Sequence, residues 1–189
     1  LEIDVQNDFC PGGALAVADG DAVVSPLNEF ARRFAAAGAP VIATQDWHPA
    51  GHCSFASTGA QPAAGEVLWP DHCVQGTAGA DFHRNLDLAP VTLIVRKGFR
   101  PATDSYSAFF ENDRTTATGL AGYLNTFGIK TVYLGGLATD YCVFFSAMDA
   151  VKLGFAVYLL HDAVRSVNFP EGSGEKALDA MKAAGVVIV

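Results

Sequence analysis

Cysteine is scarce and scattered in this chain: Cys10, Cys53, Cys73 and Cys142 are the only four in 189 residues, and none forms a C-x-x-C pair. That spacing excludes a disulfide scaffold. A chain long enough for a large core needs no such staples, so reduced thiols and a cytoplasmic setting are expected. Positive charge is also short, with 12 Lys+Arg against 20 Asp+Glu. The balance excludes the clustered basic surface that nucleic acid or an anionic membrane rewards. No apolar run approaches the roughly 20 residues needed to span a bilayer. Internal repeats and low-complexity linkers are missing too, so residues 1–189 read as a single domain. There is no initiator Met, and Leu1-Glu2-Ile3 and Val189 fall inside strand-like segments, which reads as a chain trimmed at its ends.

What is present is apolar and rhythmic. Half the residues are hydrophobic and 17% are charged. Short apolar runs at Leu1–Val5, Val41–Thr44, Val91–Val95, Thr131–Leu134, Ala156–Leu160 and Val186–Val189 read as six strands. Helical patterns lie between them. Val23, Leu27, Phe30 and Phe34 recur at helical spacing, with Ser25-Pro26 as a start and Gly38 as a stop. Further helices are expected over Leu120–Phe127, from Cys142 to Val151, and over Glu175–Ala184. The alternation predicts an α/β fold: a three-layer α/β/α sandwich around a mostly parallel six-stranded, Rossmann-like sheet covered on both faces. Ligands of such sheets bind beyond the carboxyl ends of the strands.

Three residues of complementary chemistry follow strands. Asp4 ends the first, Lys97 follows the third, and Cys142 follows the fourth in Gly135-Gly136-Leu137-Ala138-Thr139-Asp140-Tyr141-Cys142-Val143. Cys142 is expected at a helix start, where unpaired N–H groups and the helix dipole favour a thiolate. A thiol nucleophile needs a partner to take and return its proton, a role Asp4 suits, while Lys97 would hold the negative charge. The competing reading is a buried Asp–Lys pair that only ties strands together. No histidine follows a central strand nearby, which disfavours a Cys-His dyad.

One stretch breaks the rhythm. Asp46 to Pro90 holds no convincing regular element, and a loop of that length inside a domain is usually functional. It opens with Asp46-Trp47-His48-Pro49 and later holds Trp69-Pro70-Asp71-His72-Cys73. In extended geometry Asp46 and His48 point to one side, and His72 can fold back as a third ligand. Two histidines and a carboxylate with open positions suit Zn²⁺, Fe²⁺ or Mn²⁺. His52 is a fourth ligand or an outer neighbour of the set; His83 and His161 read as ordinary histidines. Phe9, Trp69 and Tyr106 offer flat faces, although most aromatics are core.

Taken together, Asp4-Val5-Gln6-Asn7-Asp8-Phe9, Gln45-Asp46-Trp47-His48-Pro49, Trp69-Pro70-Asp71-His72-Cys73-Val74, Lys97-Gly98 and Gly136 through Val143 resemble the bacterial nicotinamidase/pyrazinamidases. These belong to the cysteine-hydrolase, isochorismatase-like superfamily. The resemblance runs essentially end to end. It implies a catalytic triad of Asp4, Lys97 and Cys142, with Asp8 structural, and metal ligands Asp46, His48 and His72, with His52 a ligand in some members. It implies a ring pocket lined by Phe9, Trp69 and Tyr106, a cis Leu137–Ala138 peptide, and an oxyanion hole from the backbone N–H groups of Ala138 and Cys142. The expected reaction is hydrolysis of nicotinamide to nicotinic acid and ammonia, and of pyrazinamide likewise, in NAD salvage. The expected cofactor is a divalent metal, zinc ahead of iron or manganese, and the resemblance admits a homo-oligomer. Relatives acting on isochorismate, ureido compounds or N-carbamoylsarcosine generally lack the D-x-H…H set. A non-catalytic metal-binding module and a structural zinc protein are the remaining rivals. Two departures stand at the start of the chain: few apolar residues precede Asp4, and Glu2 is unexpected in a buried strand.

Overall fold

Six strands pair in parallel in the order β3-β2-β1-β4-β5-β6. They are β1 (Glu2–Ile3), β2 (Val41–Asp46), β3 (Val91–Lys97), β4 (Thr131–Leu137), β5 (Ala156–Arg165) and β6 (Val187–Ile188). The helices are α1 (Val24–Ala36), α2 (Leu120–Thr126), α3 (Phe144–Lys152) and α4 (Ser173–Ala183). This computed structural model describes residues 1–61 and 67–189; residues 62–66 of the predicted 46–90 loop lie outside the described residues.

The period of the strands explains the three layers. Val132 and Leu134 of β4 and Val157 and Leu159 of β5 point to one face, where they pack with Leu120 and Leu124 of α2, Ala147 and Ala150 of α3 and Met181 of α4. Leu137 and Leu160 point to the other face, against Val24 and Leu27 of α1. Burying a leucine as fully as Leu27, Leu124 and Leu134 contributes roughly 1.5–3 kcal/mol each. The expected α/β/α sandwich is therefore present, and its sheet is parallel throughout rather than mostly so.

Chain order reverses between β1 and β4, the switch point at which such sheets open a crevice. β1 and β4 approach closely there. Gly136 has φ +121°, and a Cβ at that position would collide with the backbone of Ile3. Only glycine lets the two strands meet.

The sequence-based element bounds shift in several places. β1 is only two residues long, while β4 and β5 run three and five residues further than their apolar cores suggest. β3 is an edge strand and is not covered on both faces: Thr92, Ile94 and Arg96 are exposed while Val95 and Lys97 are buried. α1 starts at Val24, straight out of a 3₁₀ turn over Gly20–Val23, so Ser25 lies inside the helix and is not its cap. Glu2 is buried at 3% exposure, and neither of its carboxylate oxygens has a hydrogen-bond partner. The 46–90 loop is tied down by isolated bridges, His48 to Val74, Phe55 to Trp69 and Gln6 to Phe82, with short 3₁₀ turns at Ala56–Thr58 and Ala78–Ala80. Among the described residues no helix is long and apolar enough to cross a membrane.

Candidate active site

Asp4, Lys97 and Cys142 converge at the carboxyl edge of the sheet, as strand ends should. Asp4 is the residue after β1, Lys97 closes β3, and Cys142 lies in a π-helical turn, Thr139–Val143, that runs on from β4 into α3. The Lys97 ammonium is 2.8 Å from Asp4 Oδ2, 2.5 Å from Asp46 Oδ1 and 2.9 Å from the Ser105 carbonyl, and it donates to Cys142 Sγ at 3.4 Å. All four acceptors surround one cation that is wholly buried. Oxygens of Asp4 and Asp46 and the sulfur of Cys142 lie within 4.8 Å of one another, and Lys97 Nζ is the cation that fills this cluster.

Asp4 is held in a conformation L-residues rarely adopt, φ +47°. Thr44 of β2 secures it from both sides: its hydroxyl donates to Asp4 Oδ1 at 2.6 Å and accepts the Asp4 N–H at 3.1 Å. Burial pushes the Asp4 carboxyl above its ordinary pKa, against the pull of Lys97. Lys97 is held well above its ordinary value, because Asp4 and Asp46 outweigh the cost of burying its charge.

Cys142 departs from the expectation of a lowered pKa. Burial pushes the thiol well above its ordinary value, and Lys97 only partly offsets this. The helix-start effect is small beside removal of the sulfur from water, and the first turn is π rather than α. Burial thus favours the thiol over the thiolate at Cys142, and the raised carboxyl of Asp4 is the acidic group beside it.

Asp46, at the end of β2, faces both ways. Its Oδ1 meets Lys97, while its Oδ2 is 3.6 Å from His48 Nε2 and 3.9 Å from His72 Nε2. His48 Nδ1 lies 2.8 Å from the Gly98 carbonyl and His72 Nδ1 2.7 Å from the Pro70 carbonyl. A carbonyl can only accept, so both Nδ1 atoms carry protons, and in the neutral imidazole each Nε2 is left with its lone pair. Two oriented imidazole lone pairs and a carboxylate oxygen thus converge in a buried space, the donor set of a divalent-metal site. Burial alone would raise the Asp46 carboxyl, but Lys97 and His48 hold it well below its ordinary range. Burial would lower His48, yet Asp46 raises it; burial and His48 together lower His72.

His52 belongs instead to a second buried group that could hold an ion, with His48 and Asp104. Its ring stacks on His48 with centroids 4.2 Å apart. Its Nδ1 accepts the Ser54 N–H at 3.3 Å and contacts the Ser54 hydroxyl at 2.7 Å, which puts the proton on Nε2, 3.3 Å from the Thr103 carbonyl. Both nitrogens are engaged. Asp8 does hold structure: its two oxygens accept the N–H groups of Ala14 and Cys73, tethering the loop that carries His72. His161 is exposed and His83 is half-buried.

Between the thiol and the histidines opens a cleft of about 420 Å³, lined by Phe9, Leu15, Val17, Trp69, Tyr106, Ala138, Tyr141 and Val167 with Asp46, His48, His72, Asp104 and Cys142. Phe9 lies against His72 at 5.4 Å. Trp69 donates its indole N–H to the Tyr106 hydroxyl at 3.1 Å, and both rings meet Tyr141 edge-on. The Leu137–Ala138 peptide is cis. A larger apolar cleft, about 650 Å³, lies elsewhere against α1 and Glu2 and carries neither the thiol nor the histidines.

Several residues here escaped the sequence reading. The Gln6 side chain pairs with Asp46 like a strand segment, accepting its N–H at 2.8 Å and donating to its carbonyl at 2.8 Å. It also donates to the Ala80 carbonyl at 2.9 Å, which seats the loop. Its place two residues beyond Asp4, on the same side of an extended segment, was the available signal. Thr44, Asp104 and Val167 carried no motif of their own.

An isochorismatase-domain family model matches residues 1–189. A nicotinamidase of Acinetobacter baylyi is 48% identical over 98% of this chain and 89% of its own length. Among solved structures, an Acinetobacter baumanii nicotinamidase/pyrazinamidase superposes with TM-score 0.93 at 48% identity, covering 99% of this chain and 92% of that one. A pyrazinamidase of Pyrococcus horikoshii in complex with zinc gives TM-score 0.87 at 43% identity, covering 100% of this chain and 96% of that one. The chain belongs to the isochorismatase family.

Proposed function

We infer that this protein is a nicotinamidase, an amidohydrolase that converts nicotinamide to nicotinic acid and ammonia, with pyrazinamide as a second substrate. The observation that carries the reading is one cleft with two chemistries at its ends: the thiol of Cys142 with Lys97 and Asp4, and the lone pairs of His48 and His72 beside Asp46. A flat heteroaromatic amide has its reactive carbonyl at one end and a ring nitrogen at the other. The aromatic walls fit what lies between.

Asp4, Lys97 and Cys142 are the residues proposed to carry the reaction. Asp4 takes the thiol proton while Lys97 holds the resulting charges in place. The Cys142 sulfur bonds to the carboxamide carbon, and the oxyanion is received by the backbone N–H groups of Ala138 and Cys142, each such donor typically worth roughly 3 kcal/mol of barrier. The C–N bond breaks as Asp4 returns the proton to departing ammonia. Water then attacks the thioester with Asp4 again accepting a proton; the C–S bond breaks and the thiol is restored. Asp46, His48 and His72 would hold a divalent metal, zinc by analogy with the Pyrococcus horikoshii structure. When bound, that ion supplies a Lewis-acid anchor for the ring nitrogen.

The test is ammonia release from nicotinamide by metal-stripped and zinc-restored protein. Release that rises on zinc restoration and vanishes in Cys142→Ala is the expected result. No release in either form would overturn the reading.

A further inference from the structure

We propose that Asp140 is a positioning residue that fastens the 166–173 segment to the nucleophile turn and thereby sets the wall of the ring cleft; this rests on the function inferred above. Asp140 lies two residues before Cys142 in the π-helical turn and is only 7% exposed. The chemistry proposed above does not use it, yet its carboxylate is fully engaged by another part of the chain. Oδ1 accepts the Val167 N–H at 3.0 Å, and Oδ2 accepts the Asn168 N–H at 2.8 Å and the Ser173 hydroxyl at 2.6 Å. The next residue acts in the same sense: the Tyr141 hydroxyl donates to the Phe169 carbonyl at 2.6 Å.

The segment so held has little else of regular structure. It links the end of β5 to the start of α4 and turns at Asn168, whose φ of +56° lies in the left-handed region. Val167 lines the ring cleft, and the Phe169 ring stands 6.3 Å from Trp69. A carboxylate accepting backbone N–H groups forms charge-assisted bonds, which fix geometry more firmly than neutral ones. The wall of the cleft is therefore fastened by one side chain to the turn that carries the thiol. Asp140 would govern how tightly the ring is held rather than how fast the bond breaks.

The experiment compares wild type, Asp140→Asn and Ser173→Ala in steady-state hydrolysis of nicotinamide, in amide hydrogen exchange, and in alkylation of Cys142 by iodoacetamide. Asparagine keeps the shape but turns an N–H₂ group toward a backbone N–H. The expected result is a KM raised about tenfold with kcat within about twofold, the signature of lost uniform binding. The Val167 and Asn168 amides should exchange faster, with alkylation unchanged, and Ser173→Ala should move KM in the same direction by less. A fall in kcat at constant KM, slowed alkylation, or exchange at Val167 and Asn168 equal to wild type would overturn the proposal. Should wild type itself fail to release ammonia, the functional reading falls, and exchange at those two amides still decides the tether.

Discussion

Lys97 Nζ lies 2.5 Å from Oδ1 of Asp46, whose other oxygen faces His48 and His72. One carboxylate thus belongs to two groups, the proposed metal ligands and the charge cluster around the thiol. Its two oxygens divide the work, and the consequences of removing it differ from those of removing a histidine.

His72→Ala should weaken metal retention by more than the roughly 10–100-fold that losing an outer-shell partner costs. In metal-free protein it should leave alkylation of Cys142 near the wild-type rate. Asp46→Asn should weaken retention as well, and should also speed alkylation a few-fold, because the carboxylate beside Lys97 holds the thiol pKa up. Metal content after dialysis and iodoacetamide kinetics are the measurements. Equal alkylation in the two variants would separate Asp46 from the thiol.

Replacing Lys97 by Met should abolish more than turnover. Asp4 and Asp46 would face each other in a buried site with no cation between them. Breaking a buried pair by removing one partner costs about 3–5 kcal/mol. Denaturant unfolding should show a loss of that order at pH 8 and a smaller one at pH 4, where the carboxylates take up protons. Ammonia release should fall by about 10³-fold or more, as the proposed role of Lys97 requires. A variant as stable as wild type at pH 8 would mean the carboxylates are not both charged in the folded protein.

The sheet and its reactive edge were legible because strand periodicity and strand-end placement are local facts. Asp4, Lys97 and Cys142 each follow an apolar run, and the parallel fold alone brings them together. Asp46, His48 and His72 were readable from D-x-H spacing and a later histidine. The rest was hidden for physical reasons. Gln6 matters because its amide mimics a backbone, Thr44 because its partner Asp4 follows the neighbouring strand forty residues away, and Asp140 because its three donors come from residues 167 to 173. The thiol pKa is not legible because a motif shows a helix start and not depth, and burial decides the direction at Cys142. The place of His52 depends on which nitrogen carries the proton, and its contacts with Ser54 and Thr103 come from folding rather than from any motif.

Gly98 offers a way to move His48 without touching a ligand. It has φ +64°, and a Cβ there would collide with the His48 ring, whose Nδ1 donates to the Gly98 carbonyl. Gly98→Ala should therefore displace the imidazole and weaken metal binding by roughly 10–100-fold. Cys142 should still alkylate at the wild-type rate. Zinc affinity by competition with a chromophoric chelator checks this; an unchanged affinity would show that His48 is not a ligand.

Glu2 predicts a pH-dependent gain from a single substitution. Burial raises its carboxyl from the ordinary value of 4.5 to about 7, and both oxygens lack partners. Below about 4.5 the group is neutral in the folded and unfolded chains alike, and it costs nothing by ionisation. Between there and about 7 the unfolded chain loses the proton while the folded chain keeps it. The folded state then binds more protons, and stability falls as pH rises at about 1.4 kcal/mol per unit. Above about 7 both states are ionised and the deficit stays constant. Glu2→Leu removes this loss and leaves an apolar side chain against the same neighbours. Its advantage over wild type in denaturant unfolding should therefore be small at pH 4, grow through pH 6, and level off at about 3.5 kcal/mol by pH 8. A difference that does not vary with pH would mean Glu2 titrates alike in both states and its carboxyl finds a partner in solution.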